Sequence, residues 1–313
     1  MQVWLSSAKA DKSSGCYLSA FVPLKQNCNF LKNLCESVSI RGFLGGTENM
    51  ANIVFSMLLR FEGSQIKKSV NNMVKPSSFS RPDEKKKFVR DKFSAISGRY
   101  DLLNSMLSLQ IDRYWRWKTT RLLRQFPSGP ILDLCAGTLP LALELTRQAG
   151  ERRVLAVDFC EDMLRNGKKS LPDDDRKNRI FPVCGDGEEI PAPTDTFYGC
   201  TVAFGVRNLA RTLQGLQEMY RVLRPGGKLL ILEFSRPTNP VIKPIYSLYL
   251  NKILPFVAGL VSGDKEAYEY LASSIAAFYE PEELLSMMRQ AGFTSVRRKP
   301  LTFGIVSIYI GRK

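Results

Sequence analysis

Four short stretches hold the residues whose types and spacing point to chemistry. Asp133 sits inside the apolar run "ILDLCAGTLPLAL" (131–143), which turns through Cys135, Ala136, Gly137 and Thr138. Asp158 ends the next apolar run, 25 residues further on. An acid at that spacing, at a strand end, accepts hydrogen bonds from both hydroxyls of a ribose. "GDGEEIP" (185–191) follows a third run and offers Asp186 to an adenine amine; "AFGVRN" (203–208) follows a fourth. Each stretch alone is weak, since single-glycine turns and strand-end acids that cap helices are common. Their order (loop, acid, Asp-Gly, polar strand end) asks for a nucleoside with a free ribose.

Composition narrows the chemistry further. The chain of 313 residues contains no histidine, which removes the commonest general base and the commonest transition-metal ligand. Carboxylates, Tyr, Cys, Arg or bound water must serve instead. Zinc chemistry and Ser-His-Asp hydrolysis are disfavoured, and no metal is expected. Seven cysteines are scattered with no C-x-x-C pair, a pattern for a reducing cytoplasm and not a disulfide scaffold. The net charge is +15, of which residues 1–90 carry +8, with 14 Lys/Arg against 6 Asp/Glu. The run "DEKKKFVRDK" (83–92) reads first as a solvated basic helix start; anionic lipid and nucleic acid are the alternative partners. The interleaved aromatics of nucleic-acid modules are missing, so no nucleic acid is expected. No run reaches the roughly 18–20 apolar residues of a membrane-spanning helix.

The elements that must position these residues alternate. Residues 1–83 show no sustained periodicity and read as an extension, poorly ordered or partly helical, with Met73 an alternative start. From 84 onwards strands (129–135, 152–158, 179–186, 197–205, 226–234) alternate with helices, including 209–224 with Leu213, Leu216, Met219, Tyr220 and Leu223 on one face. Further helices are expected near 264–277 and 281–291. A closing strand pair, 293–303 and 304–313, turns tightly at Gly304. This pattern specifies an α/β fold, a Rossmann-like, doubly wound, mostly parallel sheet with an antiparallel C-terminal hairpin. In such sheets ligands bind beyond the carboxyl ends of the strands. The loop lacks G-x-G-x-x-G and no P-loop lysine follows it, which disfavours dinucleotides and triphosphates. A nucleoside without phosphates, such as S-adenosylmethionine, is compatible because no pyrophosphate must approach the backbone.

"RVLRPGGKLLILEFSRP" (221–237), "FGVRN" (204–208), "YDLLNSMLSLQIDRYWR" (100–116) and "DKEAYEYLASSI" (264–275) resemble the signatures of the ubiquinone/menaquinone biosynthesis C-methyltransferases. These class I enzymes use S-adenosylmethionine to methylate a ring carbon of a polyprenylated quinol, demethylmenaquinol or a methoxy-benzoquinol. The resemblance runs from about residue 86 to the C-terminus and makes 84–313 a methyltransferase domain. It implies that Gly137 and Thr138 lie against the methionine part of the cofactor, that Asp158 holds the ribose, and that Asp186 and Gly187 contact the adenine. It implies catalytic roles for Arg207, which stabilises a phenolate and activates water, and for its neighbour Asn208. Tyr100, Asp101 and Asn104 match a lid segment. Tyr246 falls in "IYSLYLNKILPFVAGLV" (245–261), which reads either as a core helix or as a cap that grips an isoprenoid tail. A lipid-soluble quinol as partner, transient membrane-surface contact and a cytoplasmic, peripheral location follow from the resemblance; a homodimer stays open.

Several positions depart from the family pattern. Leu139-Pro140 stands where Gly-Asp is usual, Ala203 where a serine often is, and Asp112 where a histidine is usual. Leu139 puts a side chain where close backbone approach is expected. Two other readings therefore remain: a methyltransferase for another small molecule, and a non-catalytic binding protein on a degenerate methyltransferase fold.

Overall fold

Strand β1 (Ile131–Leu134) is buried at all four positions, as a central parallel strand covered on both faces must be. Around it a computed structural model describes Phe79 and residues 81–98, 104–105, 108, 110–124, 129–148, 152–237, 239–250 and 265–313. The other strands are β2 (Val154–Asp158), β3 (Ile180–Cys184), β4 (Phe197–Ala203), β5 (Leu223–Phe234), β6 (Thr294–Leu301) and β7 (Val306–Arg312). They form one sheet in the order β3-β2-β1-β4-β5-β7-β6. Pairing is parallel from β3 to β5, and β7 runs antiparallel to both of its neighbours. The expected doubly wound sheet with an antiparallel edge hairpin is the observed one.

The helices are α1 (Pro82–Ile96), α2 (Ile111–Thr120), α3 (Pro140–Gln148), α4 (Glu161–Lys169), α5 (Thr212–Val222), α6 (Ile242–Leu248), α7 (Lys265–Ala276) and α8 (Pro281–Gln290). Alternation along the strands divides the core in two. Leu132, Leu134, Val202 and Ile231 pack with Leu216, Met219 and Val222 of α5. Ile131, Ala156, Leu230 and Ile308 pack on the opposite face with Trp115 and Ala142. β1 pairs with β2 on one side and with β4 on the other, so the chain switches direction at β1/β4 and a crevice opens beyond their carboxyl ends.

Two expectations are corrected in detail. Helix α5 is shorter than 209–224, because the amides of Ala210 and Arg211 are drawn out to the Glu188 carboxylate, 2.6 and 2.8 Å away. Pro225 disfavours helical backbone at Arg224, and the chain is already extended at Leu223. The closing hairpin does not turn on Gly304 alone. Thr302, Phe303 and Gly304 are all left-handed (φ 46°, 57° and 87°), in a single 3-10 turn fastened by Trp115 Nε1 to Thr302 Oγ1 at 2.7 Å and Ser235 Oγ to the Gly304 carbonyl at 2.7 Å.

Most of the expected 1–83 extension lies outside the described residues. Helix α1 begins at Pro82, where a missing N–H forfeits no helical bond. Among the described residues no helix is long and apolar enough to cross a membrane.

Candidate active site

The loop after β1 threads between strand ends by alternating backbone handedness. Cys135, Gly137 and Leu139 all have positive φ (55°, 54° and 69°), and Phe204 at the end of β4 joins them at 58°. A side-chain-bearing residue in that region costs about 1–2 kcal/mol. Strain of this kind gathers where surrounding structure over-determines the backbone. Here Ala136 N donates to the Val157 carbonyl (3.1 Å) and Leu139 N to the Ala136 carbonyl (2.9 Å). The Leu139 side chain does not enter the crevice; it is buried in the core with Trp115, Leu145 and Leu164. Pro140 opens α3 as its first residue. Gly205 has to be glycine for a different reason: a Cβ there would fall 2.3 Å from that of Cys135.

Asp158 is buried at the end of β2. Its Oδ2 accepts from Gly137 N and its Oδ1 from Cys160 N, both at 2.8 Å. Burial raises its pKa, and those two backbone donors oppose the shift. A carboxylate has about four acceptor sites. Two hydroxyls of a ribose therefore find room on a group whose orientation is already set. Asp133, one strand over, accepts from Thr201 Oγ1 at 2.8 Å, and burial pushes its pKa up to about 7.

Asp186 accepts from Glu188 N (2.8 Å) and from Lys86 Nζ (2.6 Å). Lys86 also lies 2.9 Å from Glu188, whose carboxylate is 1% exposed and takes in addition the Arg211 guanidinium at 3.1 Å. Burial alone would raise the Glu188 pKa; Lys86 and the amides of 210 and 211 outweigh it and hold it low. Asp158, Asp186, Gly187, Asn208, Cys135 and Lys86 line one cleft of about 400 Å³, part of it open to solvent, with Leu134, Val157, Phe159 and Leu209 as its apolar walls. Acids for hydroxyls and an amine, with apolar faces for a base, fit an adenosine moiety.

Beyond Asn208 the character changes. Arg207 is buried and its Nη1 donates to Glu233 at 2.7 Å and to the Phe204 carbonyl at 2.5 Å. Glu233 is completely buried and also accepts from Phe234 N (2.9 Å). The guanidinium carbon lies 5.5 Å from the centre of the Phe234 ring. Tyr270 on α7 donates to Asn208 Oδ1 at 3.2 Å, and burial pushes its pKa up to about 12. Tyr246 on α6 is buried with Leu250 and Ile275, against Phe234. Its hydroxyl meets no hydrogen-bond partner among the described residues, and burial raises its pKa.

The profile of the ubiE/COQ5 methyltransferase family matches residues 81–313. This chain belongs to that family. The "Ubiquinone/menaquinone biosynthesis C-methyltransferase UbiE" of Geobacter sulfurreducens is 42% identical over 234 residues, 74% of this chain and 91% of that protein. The "Demethylmenaquinone methyltransferase" of Mycobacterium tuberculosis is 41% identical over 231 residues, 74% of this chain and 94% of its own. A solved S-adenosylmethionine-dependent methyltransferase from Thermotoga maritima covers 71% of this chain and 98% of its own, with a TM-score of 0.50 and 19% identity, a likeness of fold. This ubiE/COQ5-family member is an S-adenosylmethionine-dependent methyltransferase, and the acidic strand ends are where that cofactor would be held.

The expected site residues fall into three groups. Asp158, Asp186, Gly187 and Asn208 meet at the cleft, with Gly137 bonded to Asp158 and Thr138 buried beside it. Arg207 and Tyr246 lie behind it in the aromatic region. Asn104 is placed, with its carbonyl accepting from Ser108 N at 2.9 Å, whereas Tyr100, Asp101 and the cap beyond Leu250 lie outside the described residues. Asp112 is a structural acid, buried between Arg116 and Ser108. The basic run of α1 is corrected most: Lys85 and Lys86 turn inward and are half-buried, and of the three lysines Lys87 is the exposed one. Sequence reasoning misses Lys85, Lys86, Glu188, Glu233 and Tyr270. Glu233 carries a signal as the single charge in the apolar strand "LLILEF", and Glu188 and Tyr270 fall within the quoted stretches 185–191 and 264–275, whereas nothing marks Lys85 and Lys86 apart from their basic run.

Proposed function

We propose that this methyltransferase transfers the methyl group of S-adenosylmethionine to a ring carbon of a polyprenylated quinol, demethylmenaquinol or a methoxy-benzoquinol. The observation that carries the reading is the juxtaposition of a cleft lined by Asp158 and Asp186 with a buried, aromatic-walled cation, Arg207. When bound, S-adenosylmethionine supplies an electrophilic methyl on a sulfonium. The protein's share is to make the ring carbon nucleophilic and hold it in line, which accounts for much of such a rate.

A quinol becomes nucleophilic at carbon when a ring hydroxyl loses its proton. Arg207 does not take that proton, because guanidinium stays charged at any working pH. It holds the phenolate charge in a site with little water, where a fixed cation is most effective. Asn208, oriented by Tyr270, offers its amide to the same oxygen, and a water molecule carries the hydroxyl proton away. Once the carbon–methyl bond forms, the hydrogen on that carbon leaves as a proton to water and the oxygen is reprotonated, which restores the aromatic quinol. Tyr246 and Phe234 supply flat apolar walls for a planar ring. The exposed Val241 and Leu248 flanking and ending α6, together with Phe303, support peripheral contact with the cytoplasmic face of a membrane, where such a substrate resides. Leu139 turns away from the cleft, which removes one of the motives for a degenerate, non-catalytic fold.

The test is transfer of labelled methyl to short-chain demethylmenaquinol and methoxy-benzoquinol, with products read by mass spectrometry. A folded protein that binds the cofactor and methylates neither is not a quinol methyltransferase.

A further inference from the structure

Two adjacent lysines of α1 leave the helix in divergent directions and reach different parts of the site. Lys85 Nζ donates to the carbonyls of Leu209 (2.6 Å) and Arg207 (3.2 Å), the two residues flanking Asn208. Lys86 Nζ lies 2.6 Å from Asp186 and 2.9 Å from Glu188. Each contact joins residues about a hundred positions or more apart in sequence. The far end of the helix is fastened too: Ser94 donates to Asp162, and Asn166 Nδ2 on α4 donates to Ser97 Oγ at 3.0 Å. Midway, Phe88 packs edge-on against Tyr270, the ring that bonds Asn208, with centroids 5.3 Å apart.

A solvated basic helix would need none of this. A half-buried ammonium loses hydration that must be replaced by acceptors in fixed positions. The acceptors found are site groups: two carboxylates on the adenine side, and two carbonyls of the loop that carries Arg207 and Asn208. The chemistry of the two sets differs. Lys86 neutralises and orients an acid that must accept from a base amine. Among the described residues Lys85 makes no ion pair within 4 Å and pins backbone, so its effect passes through the loop.

We propose that Lys85 and Lys86 are positioning residues, one for each half of the site: Lys86 sets the Asp186 carboxylate for the cofactor, and Lys85 sets the 207–209 backbone for the ring. This rests on the function proposed above. The full chain is compared with Lys85→Met, Lys86→Met and the corresponding arginine variants. Calorimetry with S-adenosylhomocysteine reads cofactor binding without turnover. Labelled methyl transfer at saturating cofactor reads kcat and the quinol KM.

Lys86→Met is expected to weaken S-adenosylhomocysteine binding about tenfold and to leave kcat within about threefold, the size of one charge-assisted bond lost on one side. Lys85→Met is expected to lower kcat about tenfold or more and to leave cofactor binding within about twofold. Lys86→Arg restores most of the binding and Lys85→Arg most of the kcat. If the two methionine variants, with unfolding midpoints near wild type, lose both parameters together or neither, the division is wrong. If a methionine variant does not fold, its arginine variant decides: a defect confined to its own parameter supports the proposal, and a defect in both overturns it. A wild-type chain inactive on quinols defeats the function above, while the calorimetric arm on Lys86 still stands or falls by itself.

Discussion

The cofactor half and the ring half of this site are built by opposite means. On the cofactor side the acids stand at or just past strand ends, accept backbone amides at 2.8 Å and keep acceptor capacity to spare. On the ring side a single ion pair, Arg207–Glu233, is sealed beneath Phe204, Phe234 and the tyrosines. The first half tolerates an aqueous ligand that comes and goes. The second keeps a charge in a place where water is scarce, so that a phenolate is worth stabilising. The difference teaches that affinity and reactivity are held by separate groups, which substitutions can pull apart.

The largest effect is expected at the sealed pair. Arg207→Ala leaves Glu233 buried and unpaired, at a cost of about 3–5 kcal/mol. Methyl transfer should fall by about a thousandfold or more. Denaturant unfolding and an activity assay check both. Pairing it with Glu233→Gln should return part of the stability and none of the activity; a double variant as unstable as Arg207→Ala would mean the pair does not carry the cost.

Next comes Asp133, whose pKa near 7 stands well above that of an unfolded aspartate. The folded state holds its proton more tightly, so this stabilisation is complete below about pH 4 and lost as pH rises through 7. Asp133→Asn should therefore be more stable than wild type at pH 8 by on the order of 2–4 kcal/mol, and similar to it at pH 4. Parallel unfolding curves across that range would refute this.

Asp158→Asn should weaken cofactor binding about 10- to 100-fold. Because burial holds the Asp158 carboxyl above its usual range, wild-type affinity should decline on acidification earlier than a solvated carboxylate would cause. The Asn variant should show no such decline in a calorimetric pH series. Leu139→Gly relieves a left-handed residue but empties a buried site, so a net loss of about 1–2 kcal/mol is expected. Cofactor affinity should stay within about twofold, since the side chain points away from the cleft. The smallest effect belongs to Tyr246→Phe. Removing a hydroxyl that has no partner among the described residues should change stability by less than about 0.5 kcal/mol. Because phenylalanine keeps the apolar wall, the quinol KM should stay within about twofold and cofactor binding should be unchanged; a loss of cofactor binding would place Tyr246 in the cofactor half.

Much of the cofactor half is legible in the amino-acid sequence. Strand ends follow from apolar runs; Asp158 ends β2, and Asp186 and Asn208 lie in the turns just after β3 and β4, so counting along the chain locates them. Leu139 shows the limit of such counting. Its identity suggests obstruction, and only its backbone angle and the core beyond it show that the side chain turns away. Asp112 likewise differs from the family pattern without consequence for the cleft, because Arg116 lies one helical turn away.

The sequence by itself determined the sheet, its order of strand and helix, and the acids at the strand ends, since these depend on periodicity and neighbours a few residues apart. Tertiary structure alone decided that Arg207 meets Glu233, that Tyr270 meets Asn208, and that Lys85 and Lys86 turn toward the site. Those contacts bring together residues 26 to 124 positions apart, and a side chain's burial and partners depend on which elements pack above it. A lysine reads the same in solvent as over a cleft; what faces it comes from elsewhere in the chain.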